Sequence, residues 1–337
     1  MIFKDRSRGK YSLPAALALA VACNLPVEES AYDEKLVVFG HLVANGQAAD
    51  TIFVSRSFEI DESHEDQGKW VTDATVTIFD GDATFTLAPV AGRPGRYLEQ
   101  ATSRQVILPG RTYRLDVVQN GDSATAFTTV PDSFALTSRS SSDWLCEESQ
   151  VLVDSIALYE DEYSETVWRW AVASGDFSAL NMDTVIYREG PCYTTSFASI
   201  PLFVLQWEAF EPAGIVRVST LALDDTVARA IVDSSLAAHI FKGHMLVDEE
   251  GNYFRPGSFV WNSSMDILHL TWLYFNYYGP HLITVEVTDS HFNEYFKGQA
   301  FRQNSFNMPN GNIVGGYGLF SSSNARSFFV HVAPDSS

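Results

Sequence analysis

No stretch of this sequence stays apolar long enough to cross a bilayer. The nearest approach, YSLPAALALAVA at residues 11–22, is about a dozen residues long, against the roughly 20 that a spanning helix needs. Basic side chains are scarce too: 22 Lys and Arg stand against 42 Asp and Glu, and charged residues make up only 19% of the chain. Lys4, Arg6, Arg8 and Lys10, with the single acid Asp5, fall in the first 22 positions; without them 18 basic side chains face 41 acidic ones, a net charge of −23. Such a surface repels phosphate backbones and anionic lipid heads, which excludes nucleic acid and polybasic membrane docking as working hypotheses. Otherwise the acidity reads as a solubility device. Cysteine is limited to Cys23, Cys146 and Cys192. There is no HExxH, no G-x-S-x-G, no EF-hand ladder and no repeat of solenoid or propeller period.

What is present begins with a leader. A short basic segment, MIFKDRSRGK (1–10), followed by the short apolar run predicts a secretory signal peptide over residues 1–22. Ala20-Val21-Ala22 satisfies the small-x-small rule of ordinary signal peptidase and, with Cys23, also reads as a lipobox. Both place the cut before Cys23; they differ in whether Cys23 then carries lipid. A lipidated Cys23 removes the odd thiol of an exported protein. It leaves Cys146 and Cys192 to pair across 46 residues, worth roughly 4 kcal/mol in the chain-entropy view. The alternative is two buried thiols packed as small hydrophobes.

The rest of the chain, 46% hydrophobic and 13% aromatic, is long enough for one large or two medium domains. Residues 23–35 read as an acidic tether. Over 36–131, β-branched and aromatic segments alternate with turn residues: KLVVFGHLVA, DTIFVSRSFEI, a pair around Asp80-Gly81, RYLEQ, and a pair joined at Asn120-Gly121. Asp-Gly and Asn-Gly tolerate the positive φ of tight hairpins. This spacing predicts an N-terminal antiparallel β-sandwich, Ig-like or transthyretin-like. Residues 132–145 are Ser-rich and read as a linker. A second β-rich domain is expected over 146–333, with strands at VLVDSIALYE, TVWRWAVAS, PLFVLQWEAF, IVRVSTLAL and HLITVEVTD among others. Near-helical spacing predicts one helix over 224–242 and another over 290–303. In the latter Ser290 is the cap, and Phe292, Tyr295 and Phe296 share a face. The fold class is therefore mainly β, with one or two short helices.

The chemistry is sparser. Of eight histidines, His239 and His244 are five apart, about 140° around a helix and wrong for one ion; His291, next to the aromatic helix face, is equally uninformative. EIDESHED (59–66) reads as a solvated loop, and DGD (80–82), NGD (120–122) and DEEGN (248–252) as turns. No metal, cofactor or catalytic residue is expected. A pair of distant carboxylates for glycoside hydrolysis would leave no local trace. The most conspicuous segment is LHLTWLYFNYYGPHL, 268–282. Read as a strand, it is apolar on both faces and is first a core element. The alternative is an aromatic binding surface formed by Trp272, Tyr274 and Tyr277.

Several pieces recur in a familiar order. KLVVFGHL, VSRSF near 54–58, WVTDATVTIFDG (70–81) and LPGRTYRLDVVQNGDSATAFTTVP (108–131) follow the cysteine; ITVEVTDSHFNEYFKGQ (283–299) and GNIVGGYGLFSSS (311–323) close the chain. In this order the chain resembles the bacterial lipoproteins of domain-of-unknown-function family 4249, found in Bacteroidota-type Gram-negative cells. The last glycine run is the most specific piece, and its glycines mark tight backbone packing beside aromatics rather than a phosphate loop. The resemblance implies an outer-membrane lipoprotein anchored at Cys23, encoded near TonB-dependent transporters and assisting them, with no catalytic residues to carry over. A non-enzymatic binding or accessory role is the leading expectation. A glycan-active extracytoplasmic hydrolase and a structural or adhesive module are the alternatives.

Overall fold

The computed structural model describes residues 32–46, 52–59, 67–99, 105–139, 145–146, 149–150, 155–159, 165–187, 201–207, 216–231, 246–247, 253–254, 258–263, 266–271, 274–297 and 310–334. It is mainly β. The first part supplies β1 (Leu36–Val43), β2 (Ile52–Arg56), β3 (Thr75–Phe79), β4 (Thr84–Pro89), β5 (Arg96–Glu99), β6 (Thr112–Gln119), β7 (Asp122–Thr129) and β8 (Leu136–Arg139). β9 (Leu145–Cys146) and β10 (Ser149–Gln150) make a small hairpin before helix α1 (Glu165–Ser174). Then come β11 (Met182–Tyr187), β12 (Pro201–Trp207), β13 (Val216–Ala222), β14 (Leu246–Val247), β15 (Tyr253–Phe254), β16 (Ser258–Ser263), β17 (Ile267–Thr271) and β18 (Gly279–Thr288). Helix α2 (Ser290–Lys297) and the long β19 (Gly316–Pro334) complete the chain.

The expected hairpins form where the turn residues stand. Asn120 and Gly121 both take positive φ (53° and 93°) between β6 and β7. Asp80 folds its carboxylate over the β3–β4 turn, where Oδ1 accepts the N–H groups of Asp82 and Ala83. Alternation then sorts the side chains: Leu36, Val38 and Leu42 of β1, Val76 and Ile78 of β3, and Tyr113, Leu115 and Val117 of β6 point into one buried core.

A twelve-stranded sheet runs β16-β13-β18-β19-β1-β2-β5-β4-β3-β6-β7, with β11 also paired to β19. Most pairs are antiparallel, but β19 runs parallel to both β1 and β11. Its first half lies on β1, and its second half lies between β18 and β11. The N-terminal sheet curls until β7 meets the segment leading into β19: Thr125 and Val314 exchange backbone hydrogen bonds of 2.9 and 2.8 Å. Phe320 of β19 is thus part of the N-terminal core. The second core is a sandwich, with β13, β18, β19 and β11 facing the three-stranded sheet β17-β12-β8.

The structure corrects several sequence expectations. TVWRWAVAS, expected as a strand, is α1. Apolar residues fall on both strand parities there, whereas Val167, Trp168 and Ala171 gather on one helical face and pack together. The cap of α2 is Asp289, one residue before Ser290, because Asp289 Oδ1 accepts the N–H of Phe292 at 2.9 Å. The 268–282 segment is two strands rather than one: β17 stops at Thr271, and β18 starts at Gly279. Tyr274 and Tyr277 between them are 7% and 1% exposed, so these two rings are core and not surface; Trp272 lies outside the described residues. So do His239, His244 and most of the 224–242 segment, of which only a 3-10 turn at Val227–Arg229 and its neighbours are described. Cys23 and Cys192 also lie outside the described residues, and of Cys146 only the backbone, in β9, is described.

Candidate functional site

One face of the sheet is packed into the two cores. Its other face is covered at two places only, among the described residues, and the difference between those places and the interval between them creates the site. Near one end α1 packs Ala171 against Leu282 of β18 and Phe329 of β19. Near the other, α2 lies over β1: Phe39 meets Tyr295 edge-on at 6.0 Å, and His41 lies 5.7 Å from Phe292. Between the helices the outward residues are Arg217 and Ser219 of β13, Thr284 and Glu286 of β18, and Ala325 and Ser327 of β19, brought side by side by the register.

Two depressions follow from this. A polar trough of about 600 Å³ is lined by Arg217, Ser219, Thr284, Glu286, Arg326 and Ser327, with Asn45 at the turn after β1. A second cleft, of about 420 Å³, lies under α2 and is walled by Phe39, Phe53, Phe292, Phe296 and Leu319, with His41 and Ser321 at its floor. Phe39 and Phe296 are 38% and 48% exposed, so the cleft opens to solvent.

A charge network separates the two. Glu286, 9% exposed, pairs with Arg217 Nη2 through Oε2 and faces His41 Nε2 through Oε1 at 3.5 Å. His41 is held at both nitrogens, Nδ1 to Ser321 Oγ and Nε2 to Ser323 Oγ, each at 2.9 Å. Burial pushes the Glu286 carboxyl up, but the hydrogen bond from His41, the Arg217 charge and a hydrogen bond from Ser323 outweigh it and bring it down to about 2. The carboxylate is therefore ionised throughout the physiological range. Arg217 also lies over the Phe292 ring, 5.5 Å from its centre. Helix α2 is fixed over this network by Asp289, whose Oδ2 accepts from the Ser322 N–H at 3.2 Å and from the Thr128 hydroxyl.

A serine-histidine-carboxylate set invites comparison with nucleophilic catalysis. Ser321 and Ser323 are 1% and 0% exposed; both hydroxyls bond His41, and that of Ser323 also bonds Glu286. Among the described residues Glu286 is the one carboxylate lining either depression. The paired carboxyls that glycoside hydrolysis needs, at roughly 5–9.5 Å, are not found there among the described residues. Among the described residues no group of three or more His, Cys, Asp or Glu is placed to hold a metal ion. The arrangement suits binding: a fixed guanidinium, hydroxyls and an aromatic cleft beside it.

Neither His41, Arg217 nor Glu286 stands out in the sequence. Glu286 in ITVEVTD and Arg217 in IVRVSTLAL are lone charges in alternating strands, a pattern that marks an outward face but names no partner. Only β19, pairing with β1 and β18 together, brings positions 41, 217 and 286 into one cluster.

The same strand carries the glycine run. Asn312 donates to the carbonyls of Phe127 and Phe320 at 2.8 and 2.7 Å and accepts the Phe320 N–H at 2.9 Å. Gly318 takes φ of 116°, and a Cβ there would overlap the Val38 carbonyl oxygen. The run is a backbone clamp that seats β19 on β1. Residues 23–328 match the family described as a domain of unknown function (DUF4249), and no curated protein matches the chain.

Proposed function

The chain belongs to the DUF4249 family, and from that premise we propose that it is an envelope-anchored, non-enzymatic binding protein serving a TonB-dependent outer-membrane transporter. The observation that carries the binding half is the strip of sheet between α1 and α2 that no described residue covers. There a salt-bridged guanidinium faces an open trough while the neighbouring serine hydroxyls stay buried. The anchoring half is supported by the leader and by the family match, which begins at Cys23, where that leader is expected to end. The transporter comes from the resemblance in sequence, and the acidic surface favours neutral or cationic faces on such a partner.

The test is affinity capture of the tagged full-length chain from solubilised outer membranes, with proteins identified by mass spectrometry and a fatty-acid label followed in parallel. The expected result is a labelled protein that co-purifies with a β-barrel transporter, and loss of both label and envelope fractionation in Cys23→Ala. A labelled wild-type protein that recovers no transporter would remove the partner. An unlabelled wild-type protein would remove the anchor.

A further inference from the structure

The trough does not share the strongly acidic character of the molecule. The chain carries a net charge of −20, yet among the described residues the trough face carries one carboxylate, Glu286, beside the guanidinium of Arg217. That glutamate is already committed, with one oxygen on Arg217 and the other facing His41. What remains for a ligand is the set of Arg217 N–H donors that Glu286 does not use.

Arg217 is also prepared to receive one. A guanidinium has five N–H donors in a planar fork suited to carboxylate. Glu286 engages Nη2; Nε and Nη1 make no hydrogen bond among the described residues, and the side chain is 37% exposed. The buried carboxylate beneath and the Phe292 ring beside it hold the group in one orientation, so little side-chain freedom is lost on binding. Ser219, two residues further along the same strand, and the exposed Asn45 side chain at the rim offer hydroxyl and amide groups, again without hydrogen-bond partners among the described residues. A volume of about 600 Å³ lies within the range of small-molecule sites, and its lining is polar, unlike that of the aromatic cleft next door.

We infer that the trough binds a small hydroxylated carboxylate. Its carboxylate is taken by the N–H groups that Arg217 does not spend on Glu286, and its hydroxyls are taken by Ser219 and Asn45. The inference deepens the binding reading above and rests on it, but it does not involve a transporter. A titration of the purified chain and a membrane capture therefore fail independently.

The experiment is isothermal titration calorimetry of the mature chain with glucuronate as the probe, against glucose and inorganic phosphate. Arg217→Gln by itself would strand a buried carboxylate. The informative variant is therefore Arg217→Gln with Glu286→Gln, which removes both charges together and strands neither; its folding is checked by thermal melting. The expected result is glucuronate binding at least tenfold tighter than either comparison compound, weakening as salt is raised, and lost by tenfold or more in the folded double variant. Three outcomes would each overturn the inference: no glucuronate binding at millimolar concentration, phosphate or glucose binding as tightly, or a folded double variant that binds like the wild type.

Discussion

Burying an imidazole with one nitrogen unpartnered sets a pH below which the fold loses stability, and His281 is in that position. It is 1% exposed; Nδ1 bonds the Gly279 carbonyl at 3.0 Å, and Nε2 has no hydrogen-bond partner among the described residues. Burial lowers its pKa to about 4; the Gly279 bond opposes that shift, and the nearby His331 adds to it. The folded protein thus takes up the proton less readily than the unfolded chain, whose histidine titrates near 6.5. The sign follows: stability is intact above pH 6.5 and is lost progressively as pH falls from 6.5 towards 4. At pH 5 the loss from this one group is about 2 kcal/mol. His281→Leu should flatten the fall in denaturant-derived stability between pH 7 and pH 5 by about that amount. An unchanged pH profile would mean that His281 is not held neutral. Glu286 differs in kind, because its low pKa keeps its ionic contribution intact down to about pH 4.5 and surrenders it only towards pH 2.

Among the elements, β19 does most to determine where the site lies, and the glycine clamp determines where β19 lies. Gly318 sits at positive φ against the Val38 carbonyl. Gly318→Ala should therefore combine left-handed strain with a backbone clash and cost about 3 kcal/mol or more. The loss is read as a lowered melting temperature. A melting temperature within a degree or two of wild type would contradict the close approach of β19 to β1. The sequence made much of this element-level structure legible. Period-two alternation and the Asp-Gly and Asn-Gly turns located β1 to β7, and the glycine run announced tight backbone packing. Alternation failed at 165–174 because Trp168 and Trp170 mimic one strand face while Val167, Arg169 and Ala171 occupy the other; the helix forms because Val167, Trp168 and Ala171 can meet Leu282 and Phe329. It misplaced the α2 cap by one residue because Asp289 and Ser290 are both good caps, and only the geometry at the end of β18 chooses between them. The site itself was not legible. His41 is separated from Glu286 and Arg217 by most of the chain, and the parallel pairing of β1 with β19 has no local signature.

At the level of the whole molecule, two cores share one sheet, so the outward face is continuous from β16 to β2 and is roofed by helices at two points among the described residues. An acidic molecule with a trough whose described carboxylate is already paired favours capture of a small anion over non-specific contact with polyanions. The most direct measurement is arginine modification by phenylglyoxal, followed residue by residue with mass spectrometry, with and without saturating glucuronate. Arg217 should be shielded at least several-fold by glucuronate, while Arg229, whose side chain is 55% exposed and bonded to Asp224 far along the fold, should react at an unchanged rate. Equal reactivity of Arg217 in both conditions, or protection of Arg229 alongside it, would contradict a ligand seated in the trough.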